Sequence, residues 1–261
     1  MNGQRKLEGK RALVTGAGTG IGRGIALELA AQGAAVVLHY AHSAEGAEEA
    51  VRAIEADGGR VTALQADLAV PAECIRLVEE AADFLGGLDT LVNNAGITET
   101  IGFFETTESD YNRIFDINMR GQFFCAQRAA RYMAEAGGGS IVNLTSVHAY
   151  AGKAGHSVYA ATKGAIASFT RELAIELTSH RIRVNAIAPG LIEVPRYYRT
   201  KPTYTTEQGA ATVPWGRVGL PPDVAKAAAF LVSEDAEFID GQVLYIDGGL
   251  TAKMAMPDDS E

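Results

Sequence analysis

Thr15-Gly-Ala-Gly-Thr-Gly-Ile-Gly22, entered from the apolar run Arg11-Ala-Leu-Val-Thr15, is the stretch that decides the fold. A buried strand passes here into a helix through a turn crowded with glycine. Such a turn suits a dinucleotide pyrophosphate. With no Cβ in the way the backbone comes close, and the first N–H groups of the helix face the anion. The spacing does not fit G-x-G-x-x-G, because the sixth position falls on Ile21 or Arg23; it fits G-x-x-x-G-x-G through Gly16, Gly20 and Gly22. Glycine-rich turns between strand and helix also arise for packing alone, so the pattern gains its meaning from what surrounds it.

Outward from this turn, short apolar runs alternate with helical periods. The runs cover 12–15, 34–38, 61–65, 88–92, 140–144, 183–187 and 242–246. Helical stretches cover 21–32, 43–57, 71–85, 109–136 (with a weak point near Gly121), 157–179 and 222–232. Their ends carry the expected punctuation: Gly33 after the first, Ser43 as a cap for the second, Pro71 in the first turn of the third. Residues 191–215 show no period. The alternation predicts an α/β fold, a Rossmann-type doubly wound sheet of seven parallel strands with helices on both faces, in one domain spanning 1–261. Such sheets bind ligands beyond the carboxyl ends of their strands, where strand order reverses. The glycine turn after the first strand and Asn93-Asn-Ala-Gly96 after the fourth both fall on that edge.

Composition narrows the function classes. A formal charge of −9 with no stripe of Lys and Arg argues against a nucleic-acid surface. Local basic groups, such as those from Arg196 to Lys201, still offer positive charge to an anionic small molecule. Cys74 and Cys125 lack metal-ligand or redox spacing and read as buried thiols, and no metal is implied. Without an apolar run of about 18 residues or a charged-then-apolar leader, the expectation is a soluble, cytoplasmic protein with no membrane partner.

Tyr159 and Lys163 lie four apart on a predicted helix and share a face. Ser146 follows the fifth strand on the ligand-binding edge, and Asn118 lies within the preceding helix. Together they suit proton transfer in alcohol–ketone chemistry. Tyrosine is too weak an acid to serve as a base at neutral pH, and a neighbouring ammonium favours its phenolate. Tyr159 so tuned exchanges a proton with an alcohol oxygen that Ser146 holds by a hydrogen bond. A nicotinamide would carry the redox step.

Thr15-Gly-Ala-Gly-Thr-Gly-Ile-Gly22, Asn93-Asn-Ala-Gly96, Asn118, Ser146, Tyr159-Ala-Ala-Thr-Lys163 and Pro189-Gly190, in that order, make the chain resemble the short-chain dehydrogenase/reductase family over essentially its whole length. Ser146 stands thirteen residues before Tyr159, a common spacing in that family. The resemblance implies roles residue by residue. Tyr159 is the acid/base, and Lys163 lowers its pKa and bonds the nicotinamide ribose. Ser146 positions the substrate oxygen, while Asn118 holds a water linking Lys163 to solvent. Gly16, Gly18, Thr19, Gly20, Ile21 and Gly22 cradle the cofactor phosphates. Asp67 and Leu68 meet the adenine; Asn94, Ala95 and Gly96 shape the floor of the site; Pro189, Gly190 and Ile192 complete it. The threonine that often follows Pro-Gly in the family is replaced here by Val194.

An enzyme that prefers NAD usually carries Asp or Glu at the end of the second strand. Here that position is Tyr40, which leaves a 2′-phosphate free of carboxylate repulsion, although the basic residues common in NADP-dependent members are also missing. His39, His42 and Ser43 offer hydrogen bonds to such a phosphate, so NADP is expected ahead of NAD.

By the same resemblance, 191–215 is the lid over the substrate. It carries Arg196, Tyr197, Tyr198, Arg199, Lys201 and Tyr204, a mixture that suits a sugar, a polyol or a carboxylate. His148 and His156 flank the site as further substrate contacts. Asn118-Met-Arg-Gly and Ser146-Val-His148 are similar to bacterial sugar dehydrogenases, while the general pattern also resembles 3-oxoacyl carrier-protein reductases. The acidic balance weighs against an acidic carrier protein. A dinucleotide sensor without turnover is the alternative from another class, but such relatives typically lose the tyrosine or the lysine. The family is usually tetrameric, and Gln242 to Met256, with Met254 and Met256 at its end, is the expected contact with a neighbouring subunit.

Overall fold

The computed structural model describes residues 5–200 and 203–254. Seven parallel strands form one sheet in the order β3-β2-β1-β4-β5-β6-β7. They are β1 (Arg11–Val14), β2 (Ala35–Tyr40), β3 (Val61–Gln65), β4 (Thr90–Asn93), β5 (Gly139–Leu144), β6 (Ile182–Pro189) and β7 (Val243–Ile246). The order runs outward from β1 in one direction and from β4 in the other. The β1/β4 boundary is therefore the switch point, above which sheets of this kind bind their ligands.

The period of two in each strand divides its side chains between the faces. Val14, Val36, Leu38, Val92 and Val142 join a core with α1 (Gly20–Ala31), α2 (Ala44–Ala56) and α9 (Pro221–Val232). Their neighbours Leu13, Val37, Leu91, Ile141 and Val184 join the opposite core with α3 (Pro71–Leu85), α5 (Gly121–Glu135) and α6 (Ser157–Leu177). Burial on both faces is why these strands read as unbroken apolar runs. Each fully buried leucine or isoleucine stabilises the fold by about 1.5–3 kcal/mol.

The long helix expected over 109–136 is continuous but not uniform. It comprises α4 (Glu108–Phe115), a π-helical turn at Asp116–Arg120, and α5. The irregularity lies at Asn118 rather than Gly121. Gly121 serves close approach instead: a methyl there would sit 2.8 Å from the Leu68 carbonyl oxygen. Residues 191–215, which lack a sequence period, hold two short helices, α7 (Pro195–Thr200) and α8 (Thr206–Ala210). No helix among the described residues is long and apolar enough to cross a membrane. Met254 is exposed on the single chain, while Met256 and Lys201 lie outside the described residues.

Candidate active site

The glycine turn is drawn tightly against two neighbours. Gly16 and Gly20 adopt φ of +64° and +57°, a region that strains any residue with a Cβ. A methyl at Gly22 would lie 2.3 Å from the Gly16 carbonyl oxygen and 2.4 Å from Asn94 Nδ2; one at Gly16 would lie 2.8 Å from Ala95 Cα. On the other side, a methyl at Gly18 would lie 2.1 Å from Ser43 Oγ. Asn94 Nδ2 donates to the Thr15 and Gly16 carbonyls at 2.9 and 3.1 Å. Thr15 Oγ1 accepts the N–H groups of Asn94 and Ala95, both at 3.0 Å.

The turn is therefore held from behind by side chains that bond its backbone and carries nothing bulky on its open side. α1 begins at Gly20, and its N-cap Thr19 is exposed and makes no side-chain cap bond. Its first N–H groups, which include those of Ile21 and Gly22, remain available at the sheet edge, as an anion requires. This is a cradle that a side chain would fill, and it fits a dinucleotide.

Around it, Tyr40 ends β2 opposite Gln65 of β3. Asp67 is exposed and accepts the Ala69 N–H at 3.0 Å, whereas Leu68 is buried. His42 is exposed, and Ser43 lies against Gly18. His39 is a correction. It does not face a phosphate. It is buried, its Nδ1 accepts the Gly16 N–H at 3.0 Å, and its Nε2 lies 3.0 Å from the Ala66 carbonyl oxygen. The strand period explains this: Val37 and His39 turn toward α3, so Tyr40 turns the other way.

Beyond β6, Pro189 pairs with Ile246, and a methyl on Gly190 would lie 2.7 Å from Asp247 Cβ. Ile192 is buried and bridges to Gly219. Val194 packs at the cradle, with Cγ1 3.2 Å from where a Gly20 methyl would be. The contact expected of a threonine at that position is therefore an apolar one.

Ser146, Tyr159, Lys163 and Asn118 converge at the carboxyl ends of β4 and β5. Ser146 leaves β5 in extended backbone; its Oγ accepts the His148 N–H at 3.2 Å, and its hydroxyl acts on the Tyr159 phenol to favour the phenolate. Lys163, one turn beyond Tyr159 on α6, is buried, donates to the Leu144 carbonyl at 2.7 Å, and holds Nζ 5.6 Å from the Tyr159 ring centroid. Gly96 separates Lys163 from Asn118: a methyl there would lie 3.6 Å from Nζ and 3.2 Å from Asn118 Oδ1.

Asn118 is buried in the π-helical turn, a feature common at functional sites. Its Oδ1 accepts the Ile97 N–H at 2.7 Å, and its Nδ2 donates to the Ile97 carbonyl at 2.9 Å and to Thr162 Oγ1 at 3.1 Å.

Charge in this cluster differs from the simple expectation of an ammonium holding a phenol low. Burial pushes the Lys163 amine down to about 7. Burial also raises the Tyr159 phenol above its ordinary value, against the Ser146 hydroxyl; Tyr197 adds to the rise and Arg196 opposes it. Near neutrality the amine is divided between charged and neutral forms, and desolvation dominates the phenol.

His148 and His156 stand beside Tyr159, with ring centroids 5.3 and 6.5 Å from its ring and 5.0 Å from each other. Burial, then the charge of His156, holds His148 below the ordinary imidazole value. Arg196 on α7 donates to the Thr98 carbonyl, and its charge acts on both Tyr159 and Tyr197. Tyr197 and Tyr198 pack on Tyr204, whose hydroxyl donates to Glu193 at 2.9 Å.

Three groups escaped sequence reasoning. Thr162 bonds Asn118, Thr145 Oγ1 donates to the Lys163 carbonyl at 2.7 Å, and Glu193 gathers the hydroxyls of Tyr204 and Thr206. Thr162 lay in view between Tyr159 and Lys163; the other two carried no spacing signal.

Residues 16–251 match a family model described as enoyl-(acyl carrier protein) reductase. Versicolorin reductase 1 of Aspergillus parasiticus is 41% identical over 260 residues, which cover 95% of this chain and 99% of that protein. A 7α-hydroxysteroid dehydrogenase solved with NADH and 7-oxoglycochenodeoxycholic acid superposes with a TM-score of 0.88 at 36% identity, covering 94% of this chain and 96% of that one. An Agrobacterium tumefaciens protein, provisionally assigned as a 2-deoxy-d-gluconate 3-dehydrogenase and solved with NADP, superposes with a TM-score of 0.86 at 36% identity, covering 97% of this chain and 100% of that one.

Proposed function

The chain belongs to the short-chain dehydrogenase/reductase family, and from that premise we propose that it interconverts a secondary alcohol and a ketone on a small hydroxylated substrate, a sugar or cyclic polyol, with NADP preferred to NAD. It is an oxidoreductase acting on CH–OH and carbonyl groups, and its redox partner is a nicotinamide dinucleotide. The observation that carries the proposal is Tyr159 with the buried Lys163 one turn away, its Nζ 5.6 Å from the Tyr159 ring and anchored at 2.7 Å on the Leu144 carbonyl at the end of β5, where Ser146 follows.

In the direction of reduction, Tyr159 gives its phenolic proton to the carbonyl oxygen and Ser146 shares that oxygen. In oxidation the proton returns. Lys163 in its charged form favours the phenolate, and Asn118 braces the turn beside it. The Gly16–Gly22 cradle would hold the phosphates, Asp67 and Leu68 the adenine, and Asn94, Ala95, Gly96, Lys163, Pro189, Gly190 and Ile192 the nicotinamide half. When bound, the nicotinamide supplies or accepts the hydride. NADP is favoured because Tyr40 replaces a carboxylate, with His42 and Ser43 beside it as donors.

Residues 191–215 act as the lid, and Arg196, His148 and His156 contact substrate hydroxyls. A hydroxylated aromatic ketone is the second candidate, supported by the imidazole and tyrosine rings around Tyr159 and by similarity to versicolorin reductase. The subunit assembles as a homotetramer through the segment that includes Met254. Truncation after Gly249 is expected to lower both the mass in solution and the activity, and no change in either would remove that contact.

The test is nicotinamide absorbance with both cofactors, over sugars, polyols, hydroxynaphthalenones and oxoacyl thioesters. Turnover of a sugar or polyol is expected, faster with NADP. Turnover of oxoacyl thioesters alone would overturn the substrate assignment, and NAD binding tenfold tighter would overturn the cofactor preference. Tyr159→Phe should lose turnover by at least about a thousandfold with the cofactor Kd nearly unchanged. Retained turnover would remove Tyr159 from its role, and a wild type that binds cofactor but turns over nothing would favour a sensor.

A further inference from the structure

His39 lies between the two loops that shape the cofactor cleft. Its backbone carbonyl accepts the Ala17 N–H at 2.7 Å while its Nδ1 accepts the Gly16 N–H at 3.0 Å, so one residue binds two consecutive amides of the glycine turn. On the far side of the ring, Nε2 lies 3.0 Å from the Ala66 carbonyl oxygen, the residue before Asp67. An N–H faces Nδ1 and a carbonyl faces Nε2. Only the neutral imidazole with its proton on Nε2 satisfies both.

Among the described residues the ring has no other hydrogen-bond partner than the Gly16 amide and the Ala66 carbonyl. It is buried, on the face of the sheet where α3 contributes Cys74, Leu77 and Val78. Cys74 donates its thiol hydrogen to the Leu68 carbonyl at 3.4 Å, and the neighbouring Cys125 thiol holds Cys74 below the ordinary thiol value. The glycine turn presents no ionisable group to the ring. Asp67, in the loop after β3, is the charge that acts on it and favours protonation, but desolvation outweighs that and the Ala66 bond, leaving His39 below the ordinary imidazole value.

We infer that His39 is a positioning residue for the dinucleotide: its neutral ring ties the phosphate turn at Gly16 to the adenine-side loop at Ala66, and protonation of the ring unties them. This rests on the cofactor site proposed above. A proton on Nδ1 would set two donors against each other, and the half-buried Gly16 amide would lose its acceptor. The sign follows. The tie is intact above the lowered His39 value and is lost as pH falls through it, so cofactor affinity weakens on the acid side of the ordinary imidazole range.

Two measurements test this. In the cofactor-free protein, with ¹⁵N-labelled histidine and glycine, the His39 ring should read as the neutral Nε2–H form near pH 7.5. On acidification the Gly16 amide should shift together with the ring. A Gly16 amide that ignores the titration of His39 overturns the inference, whatever the protein binds. In the second, Kd for NADP and NAD is followed by fluorescence from pH 5 to 8 for wild type, His39→Leu and His39→Asn, with a melting curve for each.

Wild type should lose affinity as pH falls. His39→Leu should bind about tenfold more weakly at pH 7.5, with kcat at saturating cofactor within about twofold. His39→Asn, which retains an acceptor but cannot titrate, should lose most of the pH dependence while staying folded. Variants that match wild type in affinity and pH profile overturn the inference. A wild type that binds neither dinucleotide, while ring and amide titrate together, refutes the cofactor site and leaves the tie itself standing.

Discussion

The glycine turn and the 191–215 segment both border the proposed active site, and they are built in opposite ways. Positive φ, absent Cβ atoms and bonds from Asn94, Thr15 and His39 shape the turn, so its surface is backbone. In 191–215 the surface is side chain: Arg196, Tyr197 and Tyr198 on α7, with Tyr204 between the two short helices, packed on Tyr197 and Tyr198 and bonded to Glu193. A backbone surface recognises what every dinucleotide shares, its phosphates. A side-chain surface can change with each substrate while the scaffold stays the same.

The largest effect expected from this contrast is at Gly22. A methyl there meets a carbonyl oxygen 2.3 Å away, and that backbone cannot yield without opening the turn. Gly22→Ala should weaken cofactor binding by at least about a hundredfold and lower Tm by several degrees. Gly164→Ala is the control: it lies within α6 with nothing inside 4 Å of the added methyl, and it should leave Kd unchanged and Tm equal or slightly higher. A Gly22→Ala protein with normal cofactor affinity would show that the turn is not backbone-limited.

Lys163 tests whether the rigid side is built for stability or for chemistry. Its amine is buried with one carbonyl partner and is pushed down to about 7. Between about 7 and its ordinary value the unfolded chain holds a proton that the folded chain does not. Stability therefore rises with pH across that window, and the full cost of the buried charge is carried below it. Lys163→Met should remove this pH dependence and leave Tm near pH 7 within about 3 °C of wild type, because an apolar stem replaces a costly charge. Turnover should fall by at least about a hundredfold. Melting curves from pH 6 to 9 beside initial rates separate the two, and a large loss of Tm would make Lys163 structural.

The same contrast explains what the sequence made legible. Glycines, strand runs and the Tyr159–Lys163 spacing are local patterns with steric or periodic causes, and they placed all seven strands and the sheet edge. The expected weak point near Gly121 proved to be a π-helical turn at Asn118, because the determinant is the long-range bond from Asn118 to Ile97. His39 was read toward a phosphate because its side of β2 was not fixed by composition alone. The lowered Lys163 and raised Tyr159 depend on burial, a property of the folded chain. Glu193 sits in an aperiodic stretch and carries no spacing signal, since its partners Tyr204 and Thr206 meet it only in the folded chain.

That carboxylate gives the smallest expected effect and the sharpest test of the contrast. Partial burial works against the charge on Glu193, but hydroxyls of Tyr198, Thr206 and Tyr204 outweigh it and hold the carboxyl below its ordinary value. The assembly is therefore intact above the ordinary carboxylate range and loosens as pH falls through the lowered value. Tyr204→Phe removes one of the three donors while keeping the ring that packs on Tyr197 and Tyr198. If the segment shapes only the substrate face, KM should rise about two- to fivefold with kcat within twofold. The cofactor Kd should not change. A cofactor Kd that rises in step with KM would mean that Tyr204 acts through Val194 on the Gly20 end of the turn, 3.2 Å from a methyl placed there. The two regions would then be one coupled unit, and the division between backbone and side-chain recognition would fail at that contact.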